Sequence, residues 1–584
     1  MKHKYAFLSS LFMLALSTSL FAQATIERPL GFTNASDLGT CETLTLSGTS
    51  FDELMARADQ LEATKGQTIN GRVIFHDANA SNFGTWTELS DGTKVWRATL
   101  HSPDAMSVCA YFDGFYLPEG SAMFIYNADR TYFEGPITSE ENNDHMRFMT
   151  NDMWGESITI EYVQPADVVG EAVLDLMGAG HFFRMVYPPS ELADAERGGS
   201  SAGSCQVNVN CPEGEFWTKE RDGVVRMRIT DGNDIGLCSG SLVNTTAFDC
   251  RQYVLSAMHC APTVSDADMA FLQFRFNYER PAADANDDGI PEWEECGTLG
   301  FSSARNRTGA IRLADSNDDS SNGFDGSDFL LLEVEDDIPD NYNPYFAGWD
   351  ATNTTSPSGK GIHHPSGDIK KISEYTQPAQ SIWWGAPGSH WEVRWSATET
   401  NHGTTEGGSS GSPLYNEQHR IIGTLSSGFS DCVQSGQFGP NAPDQYGKMS
   451  YHWTNNPNAA DQKLKVWLDP VGTTSGVETV VLDGAYRNGE GSCNPALSTE
   501  EFTLGYESFF IAPNPSSDFL NLRIKSSSIN HTVLVFDQTG KLVAEELISG
   551  PVARIALGEF PAGIYYITLQ DENGLSQTKK WSKI

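Results

Sequence analysis

Short hydrophobic or alternating segments recur along almost the whole chain, separated by clusters of Gly, Pro, Asn and Asp. Residues 25–186 contain GRVIF, KVWRATL, AMFIY and ESITIEYV, and residues 200–483 contain GVVRMRIT, QYVLSA, FLLLEV, EVRWSA and RIIGTLSSG. Runs of this length and alternation predict β-strands, and turn signals at this frequency are typical of sandwiches and barrels. We therefore expect an all-β protein.

The chain has 584 residues, which is too many for one hydrophobic core, so we expect several domains. Two stretches of small and charged residues divide it, PPSELADAERGGSSAGS and AYRNGEGSCNPALSTEE. The first has the composition of an exposed, cleavable linker, with Arg197 as the candidate processing point. The predicted divisions are a signal peptide at 1–24, an N-terminal β-sandwich with its linker at 25–199, a pair of β-barrels at 200–483, a second linker at 484–506 and a small β-sandwich at 507–584.

The first 24 residues have the pattern of a secretory signal peptide. Lys2 and Lys4 precede the apolar stretch FLSSLFMLALSTSLFA, which ends at the small residue Ala22, and Ala24 follows. That stretch is short for a membrane span, and no later segment offers the roughly 20 consecutive apolar residues that a spanning helix needs. We predict an exported protein with no membrane span.

Charge and cysteine content narrow the partners and the compartment. The chain has 38 lysine and arginine residues against 77 aspartate and glutamate residues, a formal net charge of -39. This charge repels phosphate backbones and anionic lipids, which argues against nucleic acid as a partner and favours cationic substrates. Ten cysteines in an exported chain predict disulfides, and none of them has the CxxC or Cys/His spacing of a zinc site.

The segment EGGSSGSPLYN contains a candidate nucleophile, Ser410. A serine attacks a carbonyl only when a base takes its proton and when backbone amides stabilise the resulting oxyanion. Gly408 and Gly411 flank Ser410 and permit a tight turn that directs the amides of Gly408 and Ser410 at one point. A Gly/Ser linker would have a similar composition, so this segment needs partners elsewhere in the chain.

Two upstream residues supply those partners. His259 follows the apolar strand of YVLSAMHCA, and Asp328 precedes the apolar strand of GSDFLLLEV. A carboxylate in that position can fix the tautomer of the imidazole, although it can also be a simple strand cap. The chain order His, Asp, Ser is the order of chymotrypsin, and no GxSxG elbow of an α/β-hydrolase is present.

These segments resemble a known family, the trypsin-like lysyl endopeptidases of bacteria, over roughly residues 200–483. The matching segments are CQVNVNCPEG, LCSGSLVNTT, YVLSAMHC, SDFLLLEV, AGWD, GIHHPSGDIKKIS, EGGSSGSPLYN, and DQYGKM followed by VWLDP. The resemblance implies a chymotrypsin-like double β-barrel, a catalytic triad of His259, Asp328 and Ser410, and an oxyanion hole at Gly408 and Ser410. It implies no cofactor for catalysis. The sequence departs from the family at SAMHC, where members commonly read TAHHC.

The resemblance also implies three disulfides, which join Cys205 with Cys432, Cys211 with Cys296, and Cys238 with Cys260. The last of these closes the loop that carries His259. Cys41 and Cys109 both lie in the N-terminal region and are candidates to pair, whereas Cys250 and Cys493 have no counterpart in the family.

Substrate choice is implied by three positions. A pocket for Lys or Arg needs an anion at its base, because the bound cation leaves water. The resemblance assigns that role to Asp444 in APDQYGKM, places Trp384 at the tryptophan that narrows the family's pocket to lysine, and places Ser426 where family members have a histidine. We therefore expect cleavage after basic residues, with Lys preferred to Arg less strictly than in the family.

Two further motifs contain residue types that bind metals. The adjacent histidines His363 and His364 in GIHHP point in different directions on a strand, which argues against a role as base or metal ligands. The acidic segment DANDDGIPEWEE has the spacing of an EF-hand loop and predicts a structural calcium, with an acidic solvated loop as the alternative. Its ligands would be Asp284, Asn286, Asp288, Ile290 and Glu295.

The flanking modules also resemble known ones. The segment WRATLHSPDAMSVCAYFDGFYLPEGSAMFIYN resembles the pro-region of the same peptidases, with an accessory binding domain as the alternative. The tail containing FFIAPNPSSDFLNLRI and GEFPAGIYYITL resembles the type A sorting domain of the type IX secretion system. The resulting hypothesis is a secreted or surface-attached serine endopeptidase, handled by that secretion machinery, that cuts proteins after basic residues. The alternative is a non-catalytic adhesin on a protease fold.

Overall fold

The protein is described here from a computed structural model of the chain. The description covers residues 26–33, 38–46, 50–65, 68–143, 145–184, 202–280, 296, 305–317, 326–488, 493, 509–512, 519–524, 530–549, 552–556, 560–571 and 576–583. The predicted signal peptide, the linker with Arg197, and the calcium loop lie outside these residues.

The N-terminal region forms a β-sandwich with one long helix. Its elements are α1 (Leu30–Thr33), β1 (Glu42–Thr45), α2 (Phe51–Lys65), β2 (Thr68–Asn79), β3 (Thr85–Glu88), β4 (Lys94–His101), β5 (Ser107–Tyr116), β6 (Ala122–Asn127), β7 (Phe133–Ile137), β8 (Phe148–Met149), β9 (Met153–Trp154), β10 (Ser157–Gln164) and β11 (Val173–Phe182). One sheet has the order β1-β4-β10-β6-β7, and the other contains β2, β11 and β5 side by side. Trp96, Phe112, Ile125 and Tyr162 are buried between them.

Helix α2 is an element that the strand pattern did not predict. Its first turn has a capping box, in which the backbone N–H of Glu53 donates to Ser50 Oγ (3.4 Å) and that of Ser50 donates to Glu53 Oε2 (3.3 Å). The S-x-x-E signal is present in the sequence and could have located the start of the helix.

The first half of residues 202–488 contains a closed barrel. After β12 (Val207–Asn208), which pairs with a strand of the second barrel, its elements are α3 (Thr218–Gly223), β13 (Val224–Asp231), β14 (Asp234–Leu242), β15 (Tyr253–Ser256), α4 (Asp266–Met269), β16 (Gln273–Phe276), β17 (Arg305–Thr308), β18 (Ala310–Asp315) and β19 (Leu330–Val334). The strand order is β16-β13-β14-β15-β19-β18, and β17, which precedes β18 in the chain, pairs with β16. Gly309, between β17 and β18, has φ +103, which lets the chain bend there and close the barrel.

The second half forms another barrel. Its elements are β20 (Tyr345–Phe346), β21 (Trp349–Asp350), β22 (Gly359–His363), β23 (Lys371–Tyr375), β24 (Gln380–Trp384), β25 (Ala386–Arg394), β26 (Pro413–Asn416), β27 (Ile421–Gly428), β28 (Pro443–Lys448), α5 (Leu464–Leu468), α6 (Pro470–Ser475), β29 (Val481–Leu482) and β30 (Ala485–Tyr486). The order is β23-β22-β26-β27-β28-β25, and the N–H of Ser396 donates to the carbonyl of Glu374 (2.8 Å), which joins the chain after β25 to β23. Trp391, Trp395 and Tyr446 are buried in its core.

The N-terminal region and the first barrel share a sheet. Strand β2 pairs on one side with β11 of the sandwich and on the other with β14 of the barrel, in antiparallel register. The apolar cluster at this junction includes Val73 and Phe182 from one region with Ile235 and Phe271 from the other. The alternating patterns predicted separate sandwich and barrel, and gave no indication of this continuous sheet.

The C-terminal region is a small sandwich. Its strands are β31 (Phe509–Ala512), β32 (Phe519–Ile524), β33 (Asn530–Asp537), β34 (Leu542–Ser549), β35 (Val552–Ala556), β36 (Gly563–Asp571) and β37 (Ser576–Lys583). They form the sheets β31-β32-β35 and β34-β33-β36-β37, with Tyr565, Ile567 and Trp581 buried between them. The predicted all-β class, with two barrels and a sandwich on either side, is confirmed. Within the described ranges no helix has the length and hydropathy to cross a bilayer.

Candidate active site

His259 and Asp328 lie together because their strands are neighbours. Ser256, at the end of β15, pairs with Leu330, at the start of β19, so the turn after β15 meets the residue before β19. His259 Nδ1 is 2.7 Å from Asp328 Oδ2, and the backbone N–H of His259 donates to Asp328 Oδ1 (2.9 Å). Both side chains are buried, at 1% and 0% exposure. Since the carboxylate accepts from Nδ1, Nε2 is left as the basic nitrogen.

Ser426, a predicted substrate-binding residue, has its side chain against this pair. Its hydroxyl donates to Asp328 Oδ2 (2.6 Å) and is buried. Ser426 on β27 is buried towards the first barrel, whereas the next residue, Ser427, is partly exposed. The contact therefore connects the two barrels and gives the Asp328 carboxylate a third donor.

Ser410 is half-buried in a turn that needs glycine on both sides. Gly408 has φ +89 and Gly411 has φ +78, and a Cβ on Gly411 would overlap Ser256 Oγ. The carbonyl oxygen of Ser410 accepts from the N–H of Ser239 (2.8 Å). It also lies 3.7 Å from Cys260 Sγ, in the turn that carries His259. These contacts bring the serine turn to the histidine turn.

The amides of Gly408 and Ser410 are oriented by the carbonyl groups on the same peptides. The N–H of Ser366 donates to the Gly407 carbonyl (2.6 Å), and that of Ser412 donates to the Ser409 carbonyl (3.0 Å). In a trans peptide the N–H points opposite to the carbonyl, so both amides point away from these donors. The arrangement suits a preorganised oxyanion hole.

His363 supports the same turn, a role that the sequence did not reveal. Its Nδ1 is 2.7 Å from Ser409 Oγ and its Nε2 is 3.1 Å from Ser373 Oγ, so both ring nitrogens are engaged. Burial, followed by the nearby Lys371 charge, lowers the pKa of His363 to about 3. His364 Nδ1 lies 2.8 Å from the carbonyl of Asp368. Neither histidine is in contact with the Asp328 carboxylate.

Asp444 lies behind the serine turn with its carboxylate fully buried. Oδ2 accepts from Trp395 Nε1 (2.6 Å), Thr405 Oγ1 (2.7 Å) and Ser430 Oγ (2.7 Å), while Oδ1 accepts from the N–H of Ser430 (3.0 Å). Burial raises the pKa of Asp444, and these hydrogen bonds oppose the rise. No cationic side chain of the described residues forms an ion pair with it.

Gly428 covers this carboxylate. The residue is exposed on β27, directly opposite Asp444 on β28, and a Cβ at this position would overlap Asp444 Oδ1. Only a residue without a side chain therefore fits over Oδ1. Trp384 packs on the next residue, Phe429, with ring centroids 6.1 Å apart, so it lies against the same wall.

The structure contains the disulfides Cys205–Cys432, Cys211–Cys296 and Cys238–Cys260, and a fourth, Cys250–Cys493. The fourth ties the chain after the second barrel to the first barrel, 243 residues earlier. The suggested pairing of Cys41 with Cys109 was wrong, since both thiols are free. Cys109 is buried on β5, in the sheet that continues into the barrel, whereas Cys41 precedes β1 in the opposite sheet.

The predicted calcium ligands lie outside the described residues; they are Asp284, Asn286, Asp288, Ile290 and Glu295. Elsewhere among the described ranges, no group of three or more His, Cys, Asp or Glu side chains has the arrangement of a metal site.

Two segments of the chain match known families. Residues 199–447 match the family model of the lysyl endopeptidase C-terminal domain, and residues 510–583 match that of the secretion system C-terminal sorting domain. A lysyl endopeptidase of Pseudomonas aeruginosa is 26% identical over 341 residues, which are 56% of this chain and 67% of that protein. An endo-acting ulvan lyase of Formosa agariphila is 33% identical over 87 residues, 15% of this chain and 16% of that protein.

Among solved structures, a Glu endopeptidase is similar with a TM-score of 0.24 and 13% identity, covering 42% of this chain and 90% of that one. The sorting domain marks the protein as exported, for release or attachment to the cell surface. Residues 199–447 are thus similar to the lysyl endopeptidase C-terminal domain, and residues 510–583 to the secretion system C-terminal sorting domain.

Proposed function

We propose that this protein is a serine endopeptidase that cleaves after lysine. The observation that carries the proposal is the buried Asp444 carboxylate, which lies behind the turn of Ser410 and directly under the exposed Gly428. A buried carboxylate with no cationic partner in the described structure is unfavourable by itself. A substrate ammonium would neutralise it. The relative in Pseudomonas aeruginosa is named for the same specificity.

In the proposed mechanism, His259 Nε2 takes the proton of Ser410 Oγ as the oxygen attacks the scissile carbonyl. Asp328 keeps Nδ1 protonated and stabilises the imidazolium that forms. The amides of Gly408 and Ser410 donate to the oxyanion. His259 then protonates the leaving amine, and water hydrolyses the acyl-enzyme by the same steps in reverse.

Lysine is favoured over arginine by the way in which Asp444 is already bonded. Oδ2 has three donors, from Trp395, Thr405 and Ser430, and Oδ1 has one. A guanidinium binds best with two parallel hydrogen bonds, one to each carboxylate oxygen, whereas an ammonium is a point charge that needs one. The single free position on Oδ1 suits the ammonium.

The test is a digest of a peptide library by the purified protein, with the bonds cut identified by mass spectrometry. We expect cleavage after Lys, less after Arg, and a loss of roughly a millionfold in kcat for Ser410→Ala. Equal cleavage after Leu or Glu would refute the specificity. Failure of a fluorophosphonate to label Ser410 would refute the enzyme and favour the adhesin.

We also infer that residues 25–199 are a pro-region and that the type IX secretion machinery handles residues 507–584. A variant that ends near residue 500 should be retained in the periplasm, as fractionation would show.

A structural calcium at the acidic loop is likewise proposed, and isothermal titration with Ca²⁺ tests it.

A further inference from the structure

Strand β14 would have an unpaired edge without the N-terminal region. On one side β13 covers it along its whole length. On the other side β15 pairs only with Ser241 and Leu242, and β2 pairs with Asp234–Leu237. An exposed strand edge is a ready template for another extended chain. The N-terminal region thus occupies an edge of the first barrel that is otherwise available to pair with an extended chain.

That edge runs directly to the catalytic turn. Leu237 is followed by Cys238, which is bonded to Cys260 beside His259, and then by Ser239, whose N–H donates to the carbonyl of Ser410. The proposed lysine pocket lies on the other side of Ser410, on the second barrel. The edge of β14 therefore faces the substrate residues that follow the scissile bond.

The direction and end of β2 fit this position. Thr68, the first residue of β2, pairs with Leu237, and Arg72 pairs with Asp234, so the strand begins at the catalytic turn and runs away from it. The Thr68 hydroxyl lies against Gly407, the neighbour of Gly408, where a Cβ would collide with it. A substrate chain leaving the active site would pass the same residues.

Charged contacts hold the region in place. Arg57 on α2 binds both oxygens of Asp234, at 2.8 and 2.6 Å. Asp152 forms an ion pair with Arg228 of β13, and both of these side chains are buried. Glu141 accepts from Arg307 (3.1 Å). Removing Asp152 would leave Arg228 buried without its anion, which is strongly unfavourable.

We propose that β2 blocks the enzyme by occupying the binding edge for the residues after the scissile bond, Asp234–Leu237 of β14. This proposal rests on the proposed peptidase activity. The N-terminal region should therefore inhibit the cleavage of long substrates, because their residues after the scissile bond need the β14 edge. It should inhibit the cleavage of short substrates less, because these end at the scissile bond. The region stays bound after its linker is cut, because the shared sheet and ion pairs do not involve the linker.

The test uses the full chain with a site for an unrelated, sequence-specific protease replacing residues 191–197. After cleavage of that site, the protein is diluted stepwise, and two substrates are assayed: a lysyl p-nitroanilide, and a peptide with four residues after the lysine. We expect activity on the long peptide to rise at least tenfold on dilution, and activity on the p-nitroanilide to change less than about threefold.

Variants identify the contact. Asp152→Asn should raise the dissociation constant of the N-terminal region at least a hundredfold, because it leaves Arg228 buried without its anion. Arg57→Ala should raise it about tenfold, and folding should stay intact because Arg57 is half-exposed. The matched control is Arg130→Ala, an exposed arginine that bonds only within the N-terminal region in the described contacts, and it should change nothing.

Equal rises for the two substrates, or no rise with dilution or with either variant, would overturn the proposal. If the protein is not a serine peptidase, the result is different, because neither hydrolysis of the p-nitroanilide nor fluorophosphonate labelling is then seen at any dilution.

Discussion

Replacing Asp444 by asparagine removes the charge at the base of the proposed pocket and keeps the size of the side chain. Breaking a buried ion pair by removing one partner costs about 3–5 kcal/mol, because the remaining charge stays desolvated. At roughly 1.4 kcal/mol per factor of ten, kcat/KM for a lysine substrate should fall by roughly two to four orders of magnitude. A leucine substrate brings no charge, so its kcat/KM should change less than about threefold.

The assay compares matched p-nitroanilides that differ only in the residue before the scissile bond, Lys, Arg or Leu. Asp431→Asn is the control, since Asp431 is an exposed carboxylate near the same wall. The rate of fluorophosphonate labelling of Ser410 should be unchanged in both variants, because neither touches the triad. Burial raises the pKa of Asp444, so acid removes its charge as the pH falls through that raised value, and the preference for Lys over Leu should shrink there.

An equal loss for all three substrates would refute the reasoning, since it would mean that Asp444 supports the fold and not the specificity. Loss of fluorophosphonate labelling would point to the same conclusion, through Thr405 and the serine turn.

Three further predictions concern the triad and the fold. Ser426→Ala removes one of three donors to Asp328, and because a hydrogen bond to a charged group contributes about 1.5–3 kcal/mol, steady-state kcat should fall at least about tenfold for every substrate. A loss confined to lysine substrates would instead place Ser426 in the pocket. Burial lowers the pKa of His363 from its ordinary value of 6.5 to about 3, so the unfolded chain binds a proton there first and the free energy of unfolding falls as the pH falls below 6.5. His363→Gln should reduce this pH dependence by up to about 1.4 kcal/mol per pH unit in urea titrations, and an unchanged slope would contradict the prediction. Replacing Cys238 and Cys260 by alanine opens a loop with a sequence separation of 22 and should lower the free energy of unfolding by about 3 kcal/mol, whereas a loss below about 1 kcal/mol would show that the loop is held by other contacts.

The strands were predictable because their alternating residues report directly which face is buried. His259, Asp328 and Ser410 could be singled out because each follows or precedes a conspicuous strand or turn. The shared sheet of β2 and β14 could not be predicted, since it is made by backbone groups that every residue carries and joins segments more than 150 residues apart. No side-chain pattern distinguishes that edge from a solvent-exposed one.

The contact of Ser426 with Asp328 could not be predicted from the sequence, for a local reason. The register shifts between Leu425 and Ser427 on β27, where an irregularity interrupts the pairing with β28, so counting along the strand does not tell which way each serine points. The donors to Asp444 were also missed, because Trp395, Thr405 and Ser430 come from three separate segments and carry no common motif.

The contacts that orient the serine turn bear on how the N-terminal region would inhibit the enzyme. The Gly407 and Ser409 carbonyls are held by the N–H groups of Ser366 and Ser412, and Ser409 is held by His363, all within the protease barrels. These contacts are present in the uncleaved chain, so the turn has this geometry before the linker is processed. Inhibition by the N-terminal region then acts through occupation of the cleft, which the proposal assigns to β2 on the edge of β14. Short substrates should therefore be cut even by the intact chain, whereas the cleavage of long substrates should require dissociation of the N-terminal region.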